Sequence, residues 1–198
     1  LARELGKEAP IVRIQDHGIV VRTQIRGLLK NLFTHLLRNS IDHGIEAADV
    51  RLAANKPAAG RIDIDLSLVD GKLLIKLSDD GRGMALGKIR ERALSMNLMT
   101  PEQAQSAPAV AMMIFASGFS TAAQVTEVSG RGVGMDAVKG FLENEGGSIN
   151  IRLLGDTKAD FCSFELLITL PDKFAVVPEP ISPSQATSAS LLPGALAS

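Results

Sequence analysis

The chain has 198 residues, 45% of them hydrophobic, which leaves room for one domain with a sizeable core and a tail. Its formal net charge is −1, with no run of Lys or Arg and no Trp or Tyr. That excludes an electrostatic footprint for a phosphate backbone and an aromatic platform for single-stranded nucleic acid, so no nucleic-acid partner is expected. The single cysteine, Cys162, lies in an apolar stretch, cannot form an intrachain disulfide and suits a reducing, cytoplasmic compartment. No apolar run is long enough to cross a bilayer, and no membrane contact is expected. Leu1 in place of Met marks residues 1–9 as the expected remnant of a longer chain.

In chain order, Ile11–Ile14 and Ile19–Val21 read as short strands around the turn Asp16-His17-Gly18. Ile25, Leu28, Leu29, Leu32, Phe33, Leu36 and Leu37 then recur at the spacing of a helix stripe. A short helix over 47–54 ends before Lys56-Pro57. Arg61–Val69 alternates as a half-buried strand, Asp70-Gly71 turns it, and Leu73–Leu77 pairs back.

Leu86–Met96 reads as helix, and Thr100-Pro101-Glu102-Gln103 as a capping box opening another helix that reaches about Phe115. Residues 116–132 show no period and read as a mobile loop. A helix follows over Val133–Glu145, stopped by Gly146-Gly147, and strands near Ser148–Leu154 and Phe164–Leu170 close the domain. The domain is expected over 10–171, and 172–198 has the Pro-, Ser- and Ala-rich composition of a linker or disordered tail.

Three stretches carry possible chemistry. On a helical wheel His35, Asn39, Asp42 and His43 share one border of the leucine face. The Asn carbonyl suits a Mg²⁺ that keeps water and phosphate in the rest of its shell. One turn earlier stands His35, a residue type whose unperturbed pKa, roughly 6.5, suits a general base. The plain alternative is a solvated helix border. In Asp79-Asp80-Gly81-Arg82-Gly83 a carboxylate at a strand end is followed by glycines that let a flat ligand approach the backbone. An ionised Asp79 only accepts hydrogen bonds, which matches an exocyclic amino group of adenine. The alternative is an ordinary acidic turn. In Ser129-Gly130-Arg131-Gly132-Val133-Gly134-Met135 three glycines alternate before a helix, a phosphate-cradle pattern distinct from the Rossmann and P-loop motifs. Here the alternative is a hinge.

The order of these stretches resembles the ATP-binding domains shared by histidine kinases, DNA gyrase, MutL and related chaperones, most closely the kinase core of CheA-like chemotaxis kinases. "HLLRNSIDHGIE" is similar to the family's N box, "DDGRGM" to its first glycine box, and "GFSTAAQVTEVSGRGVGMDAV" to its lid and second glycine box. The resemblance covers about residues 10–171. It implies an α+β fold, a two-layer α/β sandwich of Bergerat type, with a mixed β-sheet, helices on one face and an ATP lid.

By the same resemblance, Asn39 would hold Mg²⁺ bridging the phosphates of ATP, and His35 stands where gyrase and MutL carry a general-base Glu. His43 would lie near the phosphates, and Asp42 is counted with it among the nucleotide-binding residues. Asp79 would recognise adenine, with Gly81 and Gly83 giving it room. Ser120, Thr121, Gly130, Arg131, Gly132, Val133, Gly134 and Met135 would contact the nucleotide from the lid.

The implied function is a Mg-ATP-binding protein histidine kinase domain of two-component signalling. It would pass the γ-phosphate to a histidine on a separate phosphotransfer domain of the parent protein. A response regulator and a CheW-like coupling domain are partners implied in the same way, and the isolated chain is expected to be a monomer. Two departures stand out: Ala116 where the family has Pro, and Asp160–Glu165, without glycine, where it has Gly-Thr. The second keeps open a rival reading as a nucleotide-sensing interaction module without transfer. A gyrase- or MutL-like clamp is disfavoured by His at position 35.

Overall fold

The computed structural model describes Ala2, residues 5–119 and residues 135–176. A five-stranded mixed sheet is its centre. Strands β1 (Ile11–Gln15), β3 (Arg61–Val69), β4 (Lys72–Asp79), β5 (Ser148–Leu153) and β6 (Phe164–Pro171) lie in the order β1-β3-β4-β6-β5. Only β1 and β3 pair in parallel; the remaining neighbours are antiparallel. The β3–β4 hairpin turns at Asp70 and Gly71, with φ of 50° and 71°, the left-handed pair that a two-residue turn requires.

Strand alternation decides the inner face. Ile62, Ile64 and Leu66 of β3, Leu73, Ile75 and Leu77 of β4, and Leu166, Ile168 and Leu170 of β6 are all buried on it. Helix α1 (Arg26–Asn39) covers that face with Leu29, Leu32 and Leu36, the stripe expected from its spacing. Helix α5 (Met135–Asn144) joins it through Val138 and Leu142. Its end is stopped at Gly146, whose φ is 76°, and the Gly147 N–H closes on the Leu142 carbonyl at 2.8 Å.

A second, smaller cluster forms under α3 (Leu86–Ser95) and α4 (Ala107–Ala111), where Leu86, Ile89, Ala93 and Val110 pack with Met84 and Cys162. Helix α2 (Ala48–Ala53) lies between α1 and β3 in the chain. Among the described residues no helix is long and apolar enough to cross a membrane.

Two segments depart from the periodicity. The helix expected from Pro101 to about Phe115 is broken into a 3₁₀ turn at Gln103–Gln105, then α4, then a 3₁₀ turn at Met112–Phe115. The capping box itself forms, with Thr100 N–H donating to Gln103 Oε1 at 2.9 Å and Gln103 N–H to Thr100 Oγ1 at 3.3 Å. Pro108 stops the continuation, because it has no N–H for the Ala104 carbonyl and its ring would strike that carbonyl. Ser106 therefore goes extended and caps a new helix through Ala109 N–H, with the proline in its first turn.

The described chain also continues in regular structure past Pro171. Phe174 and Ala175 are buried, and β7 (Ala175–Val176) pairs antiparallel with β2 (Val20–Val21). Residues 177–198 lie outside the described residues.

Leu36 is 1% exposed at the centre of the helix–sheet contact. Leu36→Ala is expected to cost about 3 kcal/mol through lost burial and the cavity left behind. The midpoint of urea unfolding reads that loss directly.

Candidate functional site

The polar border of α1 is divided by a change of helix type. After Asn39 the chain makes a π turn over Ser40–Gly44, closed by Ile45 N–H to the Ser40 carbonyl at 2.7 Å. This wider turn breaks the 100° progression on which a single border depends. His35 faces α5 in a narrow cleft with Val138, Phe141 and Leu142. Asn39 also meets α5, its Nδ2 donating to the Met135 sulfur at 2.8 Å. Asp42 is half-buried within the turn, with Oδ1 shielded from water and without a partner among the described residues, whereas His43 is exposed.

The turn leads to Asp79, at the end of β4. The Asp79 carboxylate accepts the Gly81 N–H at 3.0 Å. It is crowded by backbone: a Cβ on Gly44 would lie 2.9 Å from its Oδ2, and one on Gly81 would lie 2.3 Å from the Gly44 carbonyl. Gly83 sits at φ 87°, where a Cβ would lie 2.5 Å from the Cys162 carbonyl. So Asp79, Gly81 and Gly83 do come together, with Gly44 as a further wall. Cys162 closes the loop by exchanging backbone hydrogen bonds with Met84 at 2.8 and 2.9 Å. The segment Asp160–Glu165 thus forms one side of the glycine loop, and Arg82 lies over the Phe161 ring, 5.9 Å from its centre.

Burial pushes the Asp79 pKa above its ordinary value, and the Ser40 hydroxyl and Gly81 N–H only partly offset that. A carboxylate with a raised pKa binds its proton more tightly folded than unfolded. Its favourable contribution is present below the unfolded value and fades as pH rises through the folded one.

The anchors of this loop are charged. Arg51, with no exposed surface, donates to Glu46 Oε2 and Asp80 Oδ2, each at 3.0 Å, and to the Pro57 carbonyl at 2.7 Å. Lys56 donates to Glu46 Oε1 at 2.9 Å and to the Asp80 and Gly81 carbonyls at 3.0 and 3.1 Å. Burial works to raise the Glu46 pKa, but its bonds to Lys56 and Arg51 and its backbone bond together hold it below the ordinary value.

Sequence reasoning passed over Ser40, Gly44, Glu46, Arg51, Lys56 and Asp80. Ser40 and Gly44 stood inside the "RNSIDHG" run, and Asp80 inside the acidic pair, but no local pattern marks a charged residue such as Arg51 as buried. Ser120, Thr121, Gly130, Arg131, Gly132, Val133 and Gly134 lie outside the described residues. Phe119, at the edge of that gap, packs on the smaller cluster, with the Arg92 guanidinium 5.9 Å from its ring centre. A separate surface hollow between Lys72, Ser148, Thr169 and Pro171 opens at the opposite end of β4 and shares no residue with this site.

The family model for histidine kinase-, DNA gyrase B- and HSP90-like ATPases matches residues 23–172, which include α1, the π turn and the glycine loop. The chain belongs to that family. The chain is 47% identical over 152 residues to the chemotaxis protein CheA of Klebsiella aerogenes, covering 77% of this chain and 23% of that protein. It is 44% identical over 154 residues to the gliding motility regulatory protein of Myxococcus xanthus, covering 76% and 20%. With CheA of Bacillus subtilis it shares 38% over 172 residues, covering 86% and 25%. The chain therefore spans about a fifth to a quarter of the length of these relatives. The α+β fold and the CheA-like resemblance stand on these matches and on the mixed sheet, and a kinase-type ATPase domain is the class they support.

Two outcomes follow for the ATPase domain. Asp79→Asn removes the buried charge and keeps an acceptor, so it raises the melting temperature at pH 7, with the difference shrinking toward pH 4. Arg51→Met leaves Asp80 and part of Glu46 without a counter-charge and costs about 3 kcal/mol in denaturant unfolding.

Proposed function

We propose that this domain binds Mg-ATP and passes its γ-phosphate to a histidine on a separate phosphotransfer domain of the same parent protein, in a cytoplasmic two-component pathway of the chemotaxis type. The observation that carries the reading is the Asp79 carboxylate at the end of β4, taking the Gly81 N–H and packed so closely by Gly44 and Gly81 that neither position has room for a Cβ. Asp79 would accept from the exocyclic amine of adenine, and an oxygen acceptor there disfavours guanine by about 1–3 kcal/mol. The raised pKa of Asp79 fits a carboxylate that gains a donor only when nucleotide arrives.

For the metal, the donor set is spare. Asn39 commits its amide nitrogen to Met135 and leaves Oδ1 without a partner among the described residues. Nor do three His, Cys, Asp or Glu side chains converge among them. One neutral oxygen suits Mg²⁺, which takes the rest of its shell from phosphate and water. When bound, the ion neutralises charge on the transferring phosphate. His35 is the base assigned to take the proton lost by the attacking group. Asp42 and His43 would lie beside the phosphates, and Ser120, Thr121, Gly130, Arg131, Gly132, Val133, Gly134 and Met135 would close over them. Transfer of this kind is mainly positioning and charge neutralisation, so a rigid floor at Asp79 contributes directly.

A response regulator would receive the phosphate from the phosphotransfer domain, and a CheW-like domain would couple the parent to its receptor. The name CheA on the relatives supports both partners. The domain itself is proposed to be a monomer.

The test mixes the domain with γ-labelled Mg-ATP and a separately expressed phosphotransfer domain of the parent. Label moves to the acceptor, and Asn39→Ala lowers the rate by about a hundredfold, equivalent to some 2.7 kcal/mol of barrier. Nucleotide binding without transfer would instead indicate a sensing module. No Mg-dependent binding at all would end the kinase reading.

A further inference from the structure

Lys7 lies before β1, outside the residues 23–172 that the family model matches. Its ammonium crosses to the far end of α1 and donates to the carbonyls of Ile41 at 2.5 Å and Asp42 at 3.0 Å. Both carbonyls belong to the π turn, and Ile45 leaves that turn in an extended conformation, with φ −74° and ψ 128°. No helical N–H follows to take them, so among the described residues Lys7 is the donor that satisfies these two carbonyls of a helix end. A cation also complements the negative pole of α1 there.

The turn held in this way is the one that shapes the pocket. Ser40 sets its hydroxyl beside Asp79. The Gly44 carbonyl accepts the Arg82 N–H at 2.9 Å, which ties the turn to the glycine loop. A Cβ on Gly44 would meet the Asp79 carboxylate at 2.9 Å, so the turn backbone lies close against it. Lys7 keeps this position against opposition: burial and then the Arg82 guanidinium push its pKa down, while Asp42 and Glu46 work the other way.

We propose that Lys7 is a positioning residue of the nucleotide pocket: by holding the Ile41 and Asp42 carbonyls it fixes the turn that sets Ser40 and Gly44 against Asp79. The inference rests on the ATP-binding reading for its ligand, but not for the contact itself.

The experiment compares Lys7→Met, Lys7→Arg and Glu8→Gln with the unaltered chain, by titration with a fluorescent ATP analogue and by amide hydrogen exchange without nucleotide. Lys7→Met is expected to weaken binding by about tenfold and to speed exchange at Ile45 and Arg82. Lys7→Arg keeps a cationic donor and stays within roughly threefold of the unaltered chain, as does Glu8→Gln at the exposed neighbouring position. A merely structural lysine would lower the melting temperature and binding together; a positioning lysine loses binding with the melting temperature held. Lys7→Met binding as tightly as the unaltered chain would overturn the proposal. So would Lys7→Arg as weak as Lys7→Met, and that arm decides the matter if the Met variant fails to fold. If the unaltered chain binds no nucleotide, the ATP reading fails, and exchange at Ile45 and Arg82 still judges Lys7: unchanged rates sink it.

Discussion

A guanidinium with no exposed surface is the constraint around which the site is arranged. Arg51 loses all its water, and such burial is tolerated only where the charge is paired and its donors are used. Glu46, Asp80 and the Pro57 carbonyl meet that demand from three different stretches of chain. The pairing draws α2, the loop before β3 and the end of β4 to one point. Asp80 also accepts the Arg61 N–H at 2.8 Å, so the same carboxylate locks the start of β3. Its neighbour Asp79 emerges on the opposite side of the strand, on the face lined by Leu77 and Ile75. One acid is spent on structure, and the adjacent one is the proposed adenine acceptor.

The second element is backbone crowding. Gly44, Gly81 and Gly83 are the places where the π turn, the glycine loop and the segment around Cys162 approach more closely than a Cβ permits. The candidate site made this way has walls of peptide, whose positions depend on hydrogen bonds rather than on rotamers. It can be narrow and rigid without a large apolar lining. Two sets of ties keep it so: Arg82 N–H to the Gly44 carbonyl, and Met84 with Cys162. The glycine-free segment at 160–165 is one of these ties, through Cys162.

Much of this was legible in the chain. The leucine spacing of α1, the alternation of β3 and β4, the left-handed pair at Asp70-Gly71 and the glycine stop of α5 are local signals, and each element formed as its local energetics required. The conjunction of Asp79 with its glycines was legible too, because strand end, turn and close approach are encoded within five residues. Other features were not. Pro108 broke a helix whose capping box was correctly formed, so a good start signal did not determine the length. The π turn displaced Asp42 and His43 from the border that a regular wheel assigns to His35 and Asn39.

By itself the sequence determined the elements, their buried faces and the family, because periodicity and glycine placement are properties of neighbouring residues. The tertiary structure alone decided which charges are buried, which strands of two residues pair, and what holds the turn. Val20–Val21 meets Ala175–Val176, Arg51 meets Asp80, and Lys7 meets Ile41 across long stretches of chain. Such contacts depend on where the packed core brings distant backbone together, and no local pattern carries that information.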